Sequence, residues 1–205
     1  MINRERLISL AKAQMLKKRD HSHRETGFAF YHGLRTARLS IYLREHIFPE
    51  HTEMDDILFA AGLFHDIGKL EPPHNQSGSR MVRALLPEEL TPAELLQVAE
   101  IVLLHTKHGT CQAGYPDCVN LVMDADVIDH YGCMDIWVNL YHCALEDQTP
   151  AASIRYFQSV TQQEQAEFNE TMLYYPLSRQ IQQERFTFEQ AFFERLQRES
   201  QGEVL

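Results

Sequence analysis

Ile57-Leu58-Phe59-Ala60-Ala61-Gly62-Leu63-Phe64-His65-Asp66-Ile67-Gly68-Lys69 is the stretch on which the fold turns. Eight apolar residues lead directly into an imidazole and a carboxylate, and then into a glycine and a lysine. A charge at the inner end of a buried segment is costly unless it is paired or bound to a metal, so His65 and Asp66 need partners from elsewhere in the chain. Three residues offer themselves: His32, near the start of a helical stretch after Gly27; His105, at the end of another apolar run; and Asp126, within Met123-Asp124-Ala125-Asp126.

Working outward, Thr52 reads as an N-cap with Asp55 in capping-box register. The helix that follows is expected to run to about Asp66 and to stop at a left-handed Gly68, which holds His65 and Asp66 at the edge of a rigid element. Upstream, the polar break Asp20-His21-Ser22-His23 and Gly27 precede a helix over Phe28 to His46, with His32, Arg35, Leu39 and Tyr42 near one face. Before it, Glu5 to Lys18 places Leu7, Ile8, Ala11, Met15 and Leu16 at helical spacing. The basic end of that helix, Lys17 and Lys18, reads as a solvated helix C-terminus rather than a nucleic-acid patch.

Downstream, Pro72-Pro73 makes a turn and a helix is expected over Ser79 to Leu86. Thr91 then caps a helix with Pro92 at its first position, running to about His105 and burying Leu95, Leu96, Val98, Ala99, Val102 and Leu103. A further helix spans Val119 to Asp129. On it Asp124 and Asp126, two residues apart, face different ways, whereas Asp126 and Asp129 share a face. After a bend at Gly132 the helix resumes to Glu146, and two more are expected over Gln163 to Leu173 and Ser178 to Glu199. With no strand-like alternation anywhere, the pattern predicts an all-α protein.

The chain has 205 residues, of which 44% are hydrophobic and 23% charged, as in one ordinary globular domain. A formal charge of -10 argues against binding along a duplex nucleic acid but leaves room for a small positive pocket that holds a phosphate. Cys111, Cys118, Cys133 and Cys143 form no Cys-x-x-Cys pair and read as reduced thiols. No segment has the apolar core of a signal peptide or the roughly 20 apolar residues of a membrane span, so a soluble, cytoplasmic protein is the expectation.

Four segments taken together resemble a known family: His32-x-x-Arg35, Leu63-Phe64-His65-Asp66, Ile101 to His105-Thr106, and Asp124-Ala125-Asp126-Val127-Ile128-Asp129 followed by Gly132. In this order they resemble the HD superfamily of metal-dependent phosphohydrolases, over about residues 28 to 145. The likeness is strongest to the small bacterial HD hydrolases of the YedJ type, whose Asp-Ala-Asp-Arg-Leu-Asp stretch has arginine where Val127 stands here. The tail from Leu177-Ser178-Arg179 to Phe192-Phe193 is similar to that group as well. The resemblance implies a single HD-type helical domain over residues 1–205, with a C-terminal helical extension at about 150–200. It also implies a metal in a central cleft, held by His32, His65, Asp66 and Asp126, and phosphohydrolase activity, often on nucleotides.

Such a nitrogen and oxygen set suits iron, manganese, cobalt, nickel or zinc, and magnesium is also allowed. Asp66 would orient the attacking water, and Lys69, three residues on, is the first candidate for the cation that compensates phosphate charge in catalysis and binding. Arg35 is the second. His105 and His108 are expected on the substrate side, with a second metal, joined by His74, as the alternative. His21, His23, His46, His51, His130 and His142 read as structural. The expected partner is a small phosphorylated molecule, a nucleotide among the candidates, and the chain is either a monomer or a homodimer. A di-iron oxygenase and a catalytically silent ligand-sensing module are the competing functions. The aromatics Phe186, Phe188, Phe192 and Phe193 are expected to pack within the chain, since four left in water would form an aggregation-prone patch.

Overall fold

Helices α2 (Phe28–Ile47) and α3 (Asp55–Phe64) cross at the centre of the molecule, and the crossing requires glycine on both sides. A Cβ on Gly33 would lie 2.4 Å from the Leu63 carbonyl oxygen, and one on Gly62 would lie 2.7 Å from the Ala37 Cα. The two backbones therefore approach more closely than any side chain permits, which brings His32 of one helix against His65 at the end of the other. The computed structural model describes residues 2–19, 22, 24–107, 114–161 and 172–204, and every regular element among them is helical.

Helix α1 (Arg4–Met15) lies over α2 and α3 and buries Leu7, Ala11 and Met15. Helices α4 (His74–Leu85) and α5 (Pro92–Leu104) pack against each other, and α5 lies against α3. Helix α6 (Asp117–Asp129) closes the other side of α2 and α3. Eight consecutive residues of α3, Ile57 to Phe64, are buried, which is why that helix reads as a continuous apolar run rather than a stripe. Beyond it, α7 (Cys133–Leu145) and α8 (Pro150–Tyr156), the latter prolonged by a π-helical turn Phe157–Thr161, lead to the long α9 (Pro176–Ser200). Helix α9 packs on α2, α6, α7 and α8. No helix among the described residues is long and apolar enough to cross a membrane.

The Thr91 capping box and Pro92 at the first position of α5 stand as expected. Thr52 instead opens a 3-10 turn, Thr52–Met54, and α3 begins at Asp55 without a side-chain cap. Helix α3 ends at Phe64, earlier than expected, and Gly68 is not left-handed. Its missing side chain serves packing instead, because a Cβ there would lie 2.2 Å from the His74 carbonyl oxygen and 2.4 Å from the Gly78 nitrogen. Helix α4 starts at His74, five residues before the expected Ser79, because its first turn is polar and carries no apolar periodicity. Leu96 and Leu103, expected in the core, are 55% and 37% exposed, whereas Val98, Ala99 and Val102 are buried. Of the C-terminal aromatics, Phe186 and Phe193 are buried but Phe188 is 53% exposed. The helix expected from Gln163 falls largely outside the described residues, as does Cys111. Cys118, Cys133 and Cys143 are free thiols.

Candidate metal centre

Two helices end in the same way, each with a histidine just past its last residue. His65 follows α3 and His105 follows α5, and each turns its Nδ1–H back onto the carbonyl oxygen three residues earlier. The bond to Gly62 is 2.8 Å and the bond to Val102 is 2.7 Å. A carbonyl only accepts, so in both rings the proton sits on Nδ1 and the Nε2 lone pair points the other way. His32, one turn into α2, meets a carboxylate at each ring nitrogen: its Nδ1 lies 2.7 Å from Asp129 Oδ2 and its Nε2 2.9 Å from Asp126 Oδ1. Asp129 is in turn gripped by Arg35, whose Nε donates to Oδ1 and Oδ2 at 2.8 and 3.0 Å. Burial pushes the Asp129 carboxyl up, but His32 and Arg35 hold it below the usual range, so it stays ionised as an acceptor.

The three Nε2 atoms converge on two buried carboxylates. His32 Nε2 lies 2.9 Å from Asp126 Oδ1 and 3.2 Å from His65 Nε2. His65 Nε2 lies 3.5 Å from Asp126 Oδ1 and 3.7 Å from Asp66 Oδ2. On the far side of Asp66, its Oδ1 lies 3.5 Å from His74 Nε2 and 3.6 Å from His105 Nε2, and these two nitrogens are 3.2 Å apart. Lys69 Nζ donates to the same carboxylate at 3.0 Å. Three overlapping sets among the described residues have ligand atoms close enough to share an ion: His32–His65–Asp66, His32–Asp126–His130 and Asp66–His74–His105.

The electrostatics match the geometry. Burial pushes the Asp66 carboxyl up, but His65, His105, Lys69 and His32 together hold it well below the usual carboxylate range. Burial pulls His32 down, yet Asp126 and Asp129 outweigh that and leave it pushed up to about 9. The cluster thus favours a positive charge at the point where its nitrogens and oxygens meet. Two Nε2 lone pairs facing each other at 3.2 Å repel unless a proton or a metal ion lies between them. The residues present fit a divalent ion: imidazole nitrogens with fixed tautomers, carboxylates kept ionised, and no thiolate.

Of the residues singled out in the sequence, His32, His65, Asp66 and Asp126 come together. Lys69 sits on Asp66, and His105 pairs with His74 across it. Arg35 is turned onto Asp129 behind His32, and His108 lies outside the described residues. Asp124 faces away as expected, accepting the Tyr174 and Tyr175 backbone N–H groups at 2.8 and 3.0 Å. His130, read from sequence as structural, instead places Nε2 3.6 Å from Asp126 Oδ1. Its four-residue step from Asp126 was the signal available. Asp129 was placed on the face of Asp126, but its bond to His32 had no signature in the sequence.

The HD domain family profile matches residues 29–131, from the start of α2 to the end of α6. The chain belongs to the HD-domain family. Solved structures extend the likeness beyond the HD domain to α9. Bacillus subtilis YpgQ, crystallised in complex with ADP, is 16% identical and superposes with a TM-score of 0.64, covering 96% of this chain and 97% of its own. A predicted HD superfamily hydrolase from an uncultured Thermotogales bacterium is 16% identical, with a TM-score of 0.60 over 95% of this chain and 91% of its own. The Lin1889 protein of Listeria innocua is 18% identical, with a TM-score of 0.62 over 100% and 99%. At these identities the likeness is one of fold: an HD core with helices beyond it, all-α throughout. No curated protein matches the sequence.

Proposed function

We propose that this HD-domain protein is a metal-dependent phosphohydrolase that acts on a small phosphorylated compound, with nucleotides the favoured class. One observation carries the reading: the Nε2 atoms of His32 and His65, whose Nδ1 atoms are bonded to Asp129 and to the Gly62 carbonyl, converge on the buried carboxylates of Asp66 and Asp126. His32, His65, Asp66 and Asp126 would hold the ion. When bound, a divalent ion lowers the pKa of a coordinated water toward neutrality and polarises a phosphoryl oxygen. Asp66, held ionised, can accept a hydrogen bond from the attacking water and orient it. Lys69 steadies that carboxylate and brings an ammonium to where phosphate charge develops. ADP in the structure of YpgQ supports a nucleotide as substrate.

A second ion is favoured by a specific arrangement. His74 and His105 turn their Nε2 atoms toward each other and toward Asp66 Oδ1, while Asp66 Oδ2 faces His65, so His74, His105 and Asp66 would hold that second ion. In that arrangement His105 would be a ligand rather than the substrate-side donor read from the sequence. A di-iron oxygenase would use the same residues, and metal content separates the two functions.

The test is metal analysis of the purified protein together with a phosphatase screen in added manganese, cobalt, nickel or magnesium. His65→Ala and Asp66→Ala are expected to lose bound metal and turnover while remaining helical; full metal content and full activity in both would overturn the assignment. Lys69→Ala is expected to keep its metal and to lower kcat by about 100-fold, as when one donor to developing charge is removed. Iron near two per chain with oxygen consumption would select the oxygenase instead.

A further inference from the structure

Three imidazoles surround one oxygen of Asp126. The Nε2 atoms of His32, His65 and His130 lie 2.9, 3.5 and 3.6 Å from Asp126 Oδ1. The first is a hydrogen-bonding distance, but 3.6 Å is too long for one, so His130 faces the carboxylate without bonding to it. Two ligands that each lie about 2.0–2.2 Å from one ion are roughly 2.8–3.6 Å apart. That is the spacing His65 and His130 keep from Asp126.

His130 follows the last residue of α6, four positions beyond Asp126, and its side chain is 40% exposed. Packing places its ring. The ring centroid lies 4.7 Å from that of His32 and 6.4 Å from that of Phe28, and Phe28 in turn stacks on His32 at 5.2 Å. The cation within electrostatic reach of His130 is Arg24, whose guanidinium sits 4.2 Å from the Phe28 centroid and has Asp135 and Glu25 to offset its charge.

His32, Asp126 and His130 offer ligand atoms within 4.8 Å of one another, and so do His32, His65 and Asp66. The two sets share His32. Asp129 occupies Nδ1 of that ring, which leaves Nε2, and one nitrogen lone pair serves one ion. Both sets can therefore be filled at once only by a single ion. The motif residues that carry the HD resemblance pass from Asp129 to Gly132 and do not include position 130.

We propose that His130 is a further ligand of the ion held by His32, His65, Asp66 and Asp126, and that this third imidazole biases the centre toward nickel and away from manganese. Imidazole suits nickel, whereas carboxylate and water suit manganese. The proposal deepens the phosphohydrolase reading and rests on it for the other four ligands.

The test reads metal affinity rather than turnover. Dissociation constants for nickel and for manganese are measured by competition with a chelating dye in the parent chain, His130→Ala and His130→Gln. In His130→Ala nickel affinity is expected to fall by about 10-fold or more, no less than the loss of an orienting partner behind a ligand costs, and manganese affinity by a smaller factor. His130→Gln keeps a hydrogen-bond donor for Asp126 but loses the imidazole, so it should behave as the alanine variant does. X-ray absorption at the nickel edge should show one imidazole fewer in both variants. Nickel affinity unchanged in His130→Ala, both metals weakened by one common factor, parent-like nickel affinity in His130→Gln, or no nickel binding by the parent would overturn the proposal. Nickel binding that needs His130 in a protein that hydrolyses no phosphate ester would leave the ligand standing and remove the hydrolase; nickel-supported phosphatase activity with a nickel affinity indifferent to His130 would do the reverse.

Discussion

Asp129 is placed to control the centre through another side chain. It accepts a hydrogen bond from His32 Nδ1 at 2.7 Å while Arg35 Nε holds both of its oxygens at 2.8 and 3.0 Å, so the carboxylate that orients the His32 ring is itself fixed. Asp129→Asn replaces one acceptor oxygen with a donor and weakens the grip of Arg35. Manganese affinity, measured by competition with a chelating dye, is expected to fall about 10–100-fold, the usual cost of losing an orienting partner behind a metal ligand. Equal affinity in the two proteins would show that Asp129 does not set the ring. Glu189 on α9 makes a different prediction at the same scale. Its carboxylate accepts the Gly132 N–H, its second oxygen is buried without a partner among the described residues, and burial, helped by Asp135, pushes its pKa up to about 8. The folded chain therefore keeps a proton there that the unfolded chain releases above about 4.5, so this group's contribution is complete at low pH and is lost as pH rises through about 8. Glu189→Gln should flatten that fall and raise Tm at pH 9 relative to the parent, by roughly 2–4 °C per kcal/mol recovered. Parallel Tm–pH curves for the two proteins would remove Glu189 as the cause. Residues were legible where a motif or a helical step marked them, as with His65, Asp66 and the pair Asp126 and Asp129. Glu189 was not, because its role arises from a contact between helices distant in sequence, and His130 carried only its four-residue step from Asp126.

Between helices, the decisive feature is the bare crossing of α2 and α3. Gly62→Ala would push a methyl group to within 2.7 Å of the Ala37 Cα, and neither backbone can move without shifting the core. Overpacking of this kind typically costs about 1–3 kcal/mol. Because the same crossing sets His32 Nε2 against His65 Nε2, the variant is expected to lose metal affinity along with Tm. A Gly62→Ala protein with the parent's Tm and metal affinity would show that the crossing has slack. The sequence announced α3 through its unbroken apolar run and α5 through its cap and proline. It concealed the start of α4, whose first turn is held by contacts outside the helix: Ser77 Oγ donates to the Gly68 carbonyl at 3.3 Å, and Gly68 lies against His74 and Gly78. That start determines where His74 points, so the histidine side of Asp66 was legible only as a list of candidates.

For the whole molecule, the proposed ligands come from α2, α6 and the ends of α3 and α5, so an ion bound there would couple binding to folding. Anything bound by the folded chain alone stabilises it, by about 2.7 kcal/mol when the free ligand is at 100 times its Kd. Manganese is expected to raise Tm and a chelator to lower it, and His65→Ala should abolish this dependence; a Tm indifferent to both would separate the cluster from any ion. The all-α class and the position of the HD core could be read from periodicity and motif order. The packing of α9 could be read only in part: Phe186 and Phe193 are buried, but Phe188 is turned to solvent because it lies off the face that meets the core. The distance along the chain from His32 to Asp126 has one more consequence. A chain emerging from the ribosome shows His32 first, the His65-Asp66 pair later and Asp126 last, so no nascent fragment holds the complete grip. If these four side chains hold the ion, its capture waits until Asp126 has been made, and a product truncated before that residue lacks one of the four.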